Sequence, residues 1–310
     1  MSIKTVRDIF EHCSESKDWS FQLLTIKTSK DADTFYVAKE IGFDKKEKGL
    51  EFLKNLSFIY SDSQKGKLNK KMEVLDYDGT AREDIIYKIL TDDEVVAQEY
   101  KNLNGAIADP DYETDALEFK YTAYDVIGKI SINGEEHRVK FFFMHNPVTT
   151  LRNKYFFSEG NKLVEISNKV ISLKTAVDVV IIDDAIYLLT LDGEKLFNME
   201  RSYTNICHKK IEYIKEKNMI SNFEQFYVIA SSGHNPRKFL SFSDESLEAL
   251  KSKKKREEIA KEFNIPLNQG KFNTETKENV DRLIKVLCKK AMTDPVLELP
   301  MEVGSTKKWK

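Results

Sequence analysis

The sequence predicts an α+β fold: an N-terminal mixed α and β domain, then a mainly antiparallel sheet with a C-terminal cluster of helices. Three observations predict it. Segments rich in aromatic and β-branched residues, several separated by turn-forming pairs, fill most of the chain before residue 192. Helical apolar stripes dominate after it: Tyr203, Ile206, Cys207, Ile211 and Ile214 share one face, and Val280, Leu283, Ile284, Leu287 and Cys288 share another. The 310 residues are 41% apolar and 32% charged, which suffices for two cores and is too regularly patterned for disorder.

The elements follow in order. Residues 19–26 (WSFQLLTI) and 34–41 (TFYVAKEI) read as strands around a polar loop at 30–33. Leu50, Leu53 and Leu56 give residues 45–56 a helical period. Residues 71–76 form a short strand that turns at Tyr77-Asp78-Gly79. Residues 81–90 are expected to be helical, with Ile85, Ile86, Ile89 and Leu90 on one side. Residues 102–115, with Gly105 and Pro110, read as a link, which sets expected domains at 1–118 and 119–310.

The second half opens as a meander. Residues 122–132 end at Asn133-Gly134, a strong hairpin signal, and residues 136–144 return from it. A strand is expected in 163–173. Residues 177–191 are apolar apart from Asp178, Asp183 and Asp184, so they read as a hairpin buried on both faces, turning at Asp183-Asp184. Helices follow from Asp192, over 202–220, 222–230, after Pro236, from Ser243-Asp244, over 254–263 and over 274–291. A small hairpin turns at Asn268-Gln269-Gly270, and residues 296–303 form a closing strand bent by Pro300.

Charge is nearly balanced, with 49 Lys and Arg against 51 Asp and Glu, but unevenly spread. Residues 73–119 hold 14 Asp and Glu against 3 Lys and Arg, and residues 250–310 hold 15 Lys and Arg against 9 Asp and Glu. Such opposition suits contact with a polyanion or an oppositely charged partner; the plainer alternative is two solvated faces. No stretch approaches the roughly 20 apolar residues of a membrane helix. The first ten residues lack the apolar run of a signal peptide. Cys13, Cys207 and Cys288 are odd in number and form no Cys-x-x-Cys, so neither a zinc ribbon nor a disulfide framework is expected, and a cytoplasmic location is.

Several patterns imitate chemistry. Pro110-Asp111 and Glu118-Phe119-Lys120 resemble the carboxylate and lysine set of metal-dependent nucleases. Only six residues separate Asp111 from Glu118, too few for two strands and a turn, so an acidic loop is expected instead. Asp183 and Asp184 are neighbours at a turn and would point to opposite faces of a strand. None of the five histidines has metal-ligand spacing, and no phosphate-cradling glycine loop is present. No catalytic residue, metal or cofactor is expected.

The positive feature is basic. Lys251, Lys253, Lys254, Lys255 and Arg256 form a run, with Arg237 and Lys238 upstream after Pro236. Such residues neutralise phosphates without reading sequence, so nucleic acid, held through its backbone, is the candidate ligand of this run. The alternative is a solvated helix face, since Lys254 and Glu258 stand four residues apart.

An ordered set of features resembles the KwaB-like family, soluble components of bacterial Kiwa anti-phage defence. It comprises KYFF at 154–157, VDVVIIDDAIYLLTLDGEKLF at 177–197, RKFL at 237–240, FNIPLNQGKFNTETKENVDRLIKVLC at 263–288, and a last strand before a basic tail within 297–310. The resemblance covers residues 122–310. It implies a non-catalytic, DNA-binding effector that restrains phage DNA replication or transcription. It also implies a homodimer, and a KwaA-like membrane protein that recruits the chain to the inner face of the cell membrane. It carries over no catalytic residue and no residue-level DNA motif. The acidic residues 73–119 would then suit a basic cytoplasmic loop of that partner.

Overall fold

The computed structural model describes residues 3–16, 19–28, 34–61, 66–69, 72–79, 84–107, 122–144, 156–160, 162–165, 173–294 and 299–302. The chain divides into two compact units: Met1–Asp76 with Arg82–Asn198, and Tyr77–Ala81 with Met199–Lys310. The expected boundary at 118–119 falls outside the described residues, as do Asp111, Glu118 and Lys120.

The first unit begins with α1 (Ile3–His12), β1 (Ser20–Thr28), β2 (Thr34–Ile41), α2 (Lys46–Ser61), β3 (Glu73–Asp76), β4 (Ile85–Leu90) and α3 (Ala97–Ile107). It continues with β5 (Ala123–Ile132), β6 (Glu135–Met144), β7 (Phe156–Glu159), β8 (Lys162–Glu165), β9 (Val179–Ile182), β10 (Ala185–Leu188) and a 3-10 helix at Leu191–Phe197. Eight of these strands form one sheet in the order β2-β1-β5-β6-β9-β10-β4-β3. Every pairing in it is antiparallel except β3 with β4. Strand β1, before residue 118, pairs with β5, after it.

The hairpin signals act as read. Ile132 pairs with Glu135, and the two loop residues between them, Asn133 and Gly134, take φ of 52° and 87°, the conformation that matches strand twist. Ile182 pairs with Ala185 around Asp183, whose φ is 53°. All four residues of β9 and all four of β10 are buried, as a strand pair in the middle of a covered sheet requires.

Residues 85–90 are a strand rather than the expected helix. Ile85, Ile86, Tyr87 and Ile89 are buried on alternating faces between β10 and β3. A short run of β-branched residues has no period that separates strand from helix, and pairing with β10 decides it. Residues 97–107 are helical where a link was read from 102 onward; Leu103 is fully buried and anchors the helix. Helix α1 was not anticipated, although Val6, Ile9 and Phe10 are fully buried.

One face of the sheet is capped by α1 and α2. Phe10 stacks on Tyr60, with ring centroids 4.3 Å apart, and both join Phe21, Leu23, Val126, Phe141, Phe143 and Val180 in one core. Gly128 leaves room for the Trp19 ring to lie against the backbone; a Cβ there would overlap it. Helix α3 and the 3-10 helix serve the other face. Tyr36 on β2 donates to Glu99 on α3 at 3.1 Å and to the Leu196 carbonyl at 2.8 Å.

The second unit is mostly helical: α4 (Met199–Glu216), α5 (Phe223–Ala230), α6 (Asn235–Lys238), a 3-10 turn (Phe239–Ser241), α7 (Asp244–Ala249), α8 (Lys253–Glu262) and α9 (Lys277–Leu287). Two small hairpins complete it, β11 (Leu267–Asn268) with β12 (Lys271–Phe272), and β13 (Ala291–Thr293) with β14 (Pro300–Glu302). Side chains of Asn222, Ser243, Ser252 and Thr276 accept from backbone N–H groups at the starts of α5, α7, α8 and α9. Each such cap is worth about 1 kcal/mol. Helix α9 is shorter than the expected 274–291 because Thr276 caps it and Thr274 is occupied elsewhere. The buried Thr274 hydroxyl donates to the Asn222 carbonyl at 2.7 Å. Ile211, Phe226, Phe239, Val280 and Leu283 build this unit's core.

Candidate nucleic-acid interface

The predicted basic residues fall on two neighbouring stretches of the second unit, and the structure gives them unequal freedom. Arg237 and Lys238 end the four-residue helix α6, with Pro236 in its first turn. Both are half-buried, and Lys238 donates to Asn235 at 2.8 Å. The Arg237 carbonyl lies 2.8 Å from where a Gly79 Cβ would stand, so the backbone at Gly79, with φ of 75°, passes close against α6.

Lys251, Lys253, Lys254 and Lys255 are exposed at the junction of α7 and α8. Lys251 pairs with Glu248 at 2.5 Å and lies 5.6 Å from the Tyr213 ring centre. That hydrogen bond to Glu248 raises the Lys251 pKa, and the Lys251 bond lowers that of Glu248. Lys253 reaches Glu257 at 3.8 Å, and Lys255 reaches Glu258 at 3.1 Å. Exposed pairs of this kind are worth little and leave the cations available to a stronger anion. Lys254 has no ion-pair partner among the described residues; the expected pair with Glu258 goes to Lys255 instead.

Position matters more than number. Lys253, Lys254 and Lys255 occupy the first turn of α8, which holds no acidic residue. A helix start carries a partial positive charge and unpaired N–H groups, so acids stabilise it and lysines oppose it. Three lysines there concentrate positive potential at a point already suited to phosphate oxygens.

Arg256 does something else. Its Nε donates to the Gly270 carbonyl at 2.9 Å, and its Nη1 donates to the carbonyls of Leu250 at 2.6 Å and Lys251 at 3.0 Å. The guanidinium therefore ties the α7–α8 junction to the turn of the β11–β12 hairpin. The Lys253 stem rests over the same turn; its Cε lies 2.9 Å from where a Gly270 Cβ would stand.

A polar cluster in the first unit escaped the sequence reading. Asp125 on β5 is fully buried, and neither carboxylate oxygen has a hydrogen-bond partner among the described residues. Gln22 is its register partner on β1, and the Gln22 Oε1 is likewise unpartnered. Lys140 on β6, 4% exposed, donates to Asn104 on α3 and lies 5.9 Å from the Tyr100 ring centre. Burial pushes Asp125 well above the ordinary carboxylate range, against the opposing pull of Lys140. Burial and Arg138 bring Lys140 down to about 8. The available signal was an acid between buried residues at the start of β5 and a lysine running straight into the three phenylalanines of β6. His137 also pairs with Asp183 at 2.9 Å, across the two hairpin turns of the sheet.

Among the described residues no group of three or more His, Cys, Asp and Glu is placed to hold a metal ion. No helix among them is long and apolar enough to cross a membrane.

The fold and this face define a mixed α+β protein with a cationic helix start in its helical unit. A family model described as Kiwa protein KwaB-like matches residues 128–296, more than half of the chain. The match runs from within β5 to beyond β13 and includes all seven predicted basic positions. The chain belongs to the KwaB-like family and is a component of Kiwa anti-phage defence. No curated protein and no solved structure matches it significantly.

Proposed function

We propose that this chain is the DNA-facing effector of its Kiwa system. It binds duplex DNA through its backbone and restrains phage replication or transcription without cleaving it. The observation that supports this most is the first turn of α8, where three lysines stand against the helix dipole. A stable solvated helix has no use for that arrangement, and a polyanion does. Lys251, Lys253, Lys254 and Lys255 supply the phosphate contacts, Arg237 and Lys238 extend the face, and Arg256 positions the α8 start.

A KwaA-like membrane protein brings the chain to the inner face of the membrane, where it works as a homodimer. The acidic stretch 73–119 has a suitable sign for that partner, although not all of its described acids are available. Glu99 is buried under the Tyr36 hydroxyl, and Asp93 accepts from the Val95 amide at the start of the α3 segment.

The test is gel retardation of a duplex of about two helical turns, alongside a variant with Lys251, Lys253, Lys254 and Lys255 changed to Glu. Retardation by the parent and its loss in the variant are expected. Unchanged retardation would remove this face from the account. Magnesium or manganese in the same reactions should leave the duplex intact; cleavage abolished by Asp111→Ala would make the chain a nuclease instead.

A further inference from the structure

Arg256 and Lys253 fix the tip of the β11–β12 hairpin beside the start of α8. Arg256 Nε donates to the Gly270 carbonyl at 2.9 Å, and the Lys253 stem lies 2.9 to 3.5 Å from where a Gly270 Cβ would stand. The ribbon is short. Leu267 pairs with Phe272 and Asn268 with Lys271, which leaves Gln269 and Gly270 as a two-residue loop. Phe272 is buried in the helical core, so the base of the ribbon is anchored while Asn268 and Gln269 stand exposed at its end. We propose that this tip enters the major groove of bound duplex DNA and reads adenine through the amides of Asn268 and Gln269. The inference rests on the DNA-binding reading above and adds base recognition to it.

The first support is what the tip carries. Neither amide side chain has a hydrogen-bond partner among the described residues, and Lys271 has no ion-pair partner among them. The second is an unfavourable choice of residue. Gln269 and Gly270 take φ of 51° and 77°, a turn that favours Asn-Gly, the pair the chain places at 133–134. Gln gains no local hydrogen bond in that conformation, and its longer stem carries the amide further out from the backbone.

The third is position. A major groove about 12 Å wide admits a two-stranded ribbon, and Asn or Gln pairs bidentately with adenine there. The amide NH2 donates to adenine N7 and the amide oxygen accepts from the N6 amino group. The lysines in the first turn of α8 would hold phosphates at the edge of the groove that the ribbon enters. Phosphates alone need only those cations and leave both amides without a partner.

The experiment uses the full chain and two fluorescein-labelled duplexes of equal length and identical flanks, one with A·T and one with G·C central pairs, read by anisotropy. The parent should bind the A·T duplex about tenfold more tightly, the discrimination of one bidentate amide–adenine pair. Asn268→Ala with Gln269→Ala should bring that ratio to about one, with circular dichroism unchanged. Replacing the central adenines by 7-deazaadenine removes only a major-groove acceptor and should abolish the parent's preference as well. Equal binding of both duplexes by the parent, or a preference that survives in the double variant, overturns the proposal. A preference that survives 7-deazaadenine would belong to the minor groove or to duplex shape and overturn it equally. Equal, salt-sensitive binding leaves the DNA-binding reading standing, whereas no binding to either duplex at low salt removes both.

Discussion

Asp125 is the residue at which this fold carries its clearest local conflict. A carboxylate with no hydrogen-bond partner among the described residues, fully buried in the middle of a sheet, holds its proton more tightly in the folded chain than in the unfolded one. The sign follows from that. Its cost is absent below the ordinary value near 3.8 and grows as pH rises through it. Lys140 acts in the opposite sense. Held down to about 8, it disfavours folding below that value, and the loss is relieved as pH climbs towards 10.5. Asn mimics the protonated acid, so Asp125→Asn should stabilise the chain at pH 7 by about 1–3 kcal/mol. Thermal melts from pH 4 to pH 8 should show the gain shrinking towards the acid end; a gain independent of pH contradicts the assignment. The cysteines give a second test at this scale. Cys13, Cys207 and Cys288 are buried and free, and desolvation pushes each thiol up to about 12. A thiol reagent should find none of them quickly in the folded chain and all three in denaturant.

At the scale of elements, the α7–α8 junction is built from opposing demands. Ser252 caps α8 and Arg256 clamps three backbone carbonyls, while the lysines between them work against the helix dipole. Arg256→Ala leaves those carbonyls without a donor and should cost about 1–3 kcal/mol in a denaturant melt; a smaller cost would mean the junction is held by packing. Changing Lys253 and Lys254 to Glu should instead stabilise the helix by about 0.3–1 kcal/mol each. The same change should weaken DNA binding, and stability and binding moving together would contradict the reading. The junction also shows what sequence conveys. The seven basic positions, the Ser243 cap and the α8 helix were legible because charge runs and caps are local. That Arg256 faces the hairpin turn was not, since its partners lie up to 14 residues away. The 85–90 strand was misread for the same reason: its identity depends on β10, about 100 residues later. The 133–134 and 183–184 turns were legible because their geometry is set by the two residues themselves. Asp125 was overlooked because a lone acid in a strand looks like an exposed one until its neighbours are known.

For the whole molecule, a wide covered sheet in one unit and a cationic helical surface in the other make a chain suited to holding partners. Family membership places that chain in Kiwa defence, and charge supplies its proposed mode of action. Its net charge is only −2, so any affinity for DNA must come from local concentration of lysines rather than from overall attraction. The most direct measurement is therefore the salt dependence of duplex binding, by anisotropy, for the full chain and for the variant with Lys253, Lys254 and Lys255 changed to Ala. The parent should bind with an affinity that falls steeply and linearly on logarithmic axes. The variant's slope should be shallower by about 2–3, one phosphate contact per lysine removed. Identical slopes, or no binding even at low salt, would contradict a DNA-facing role for the start of α8.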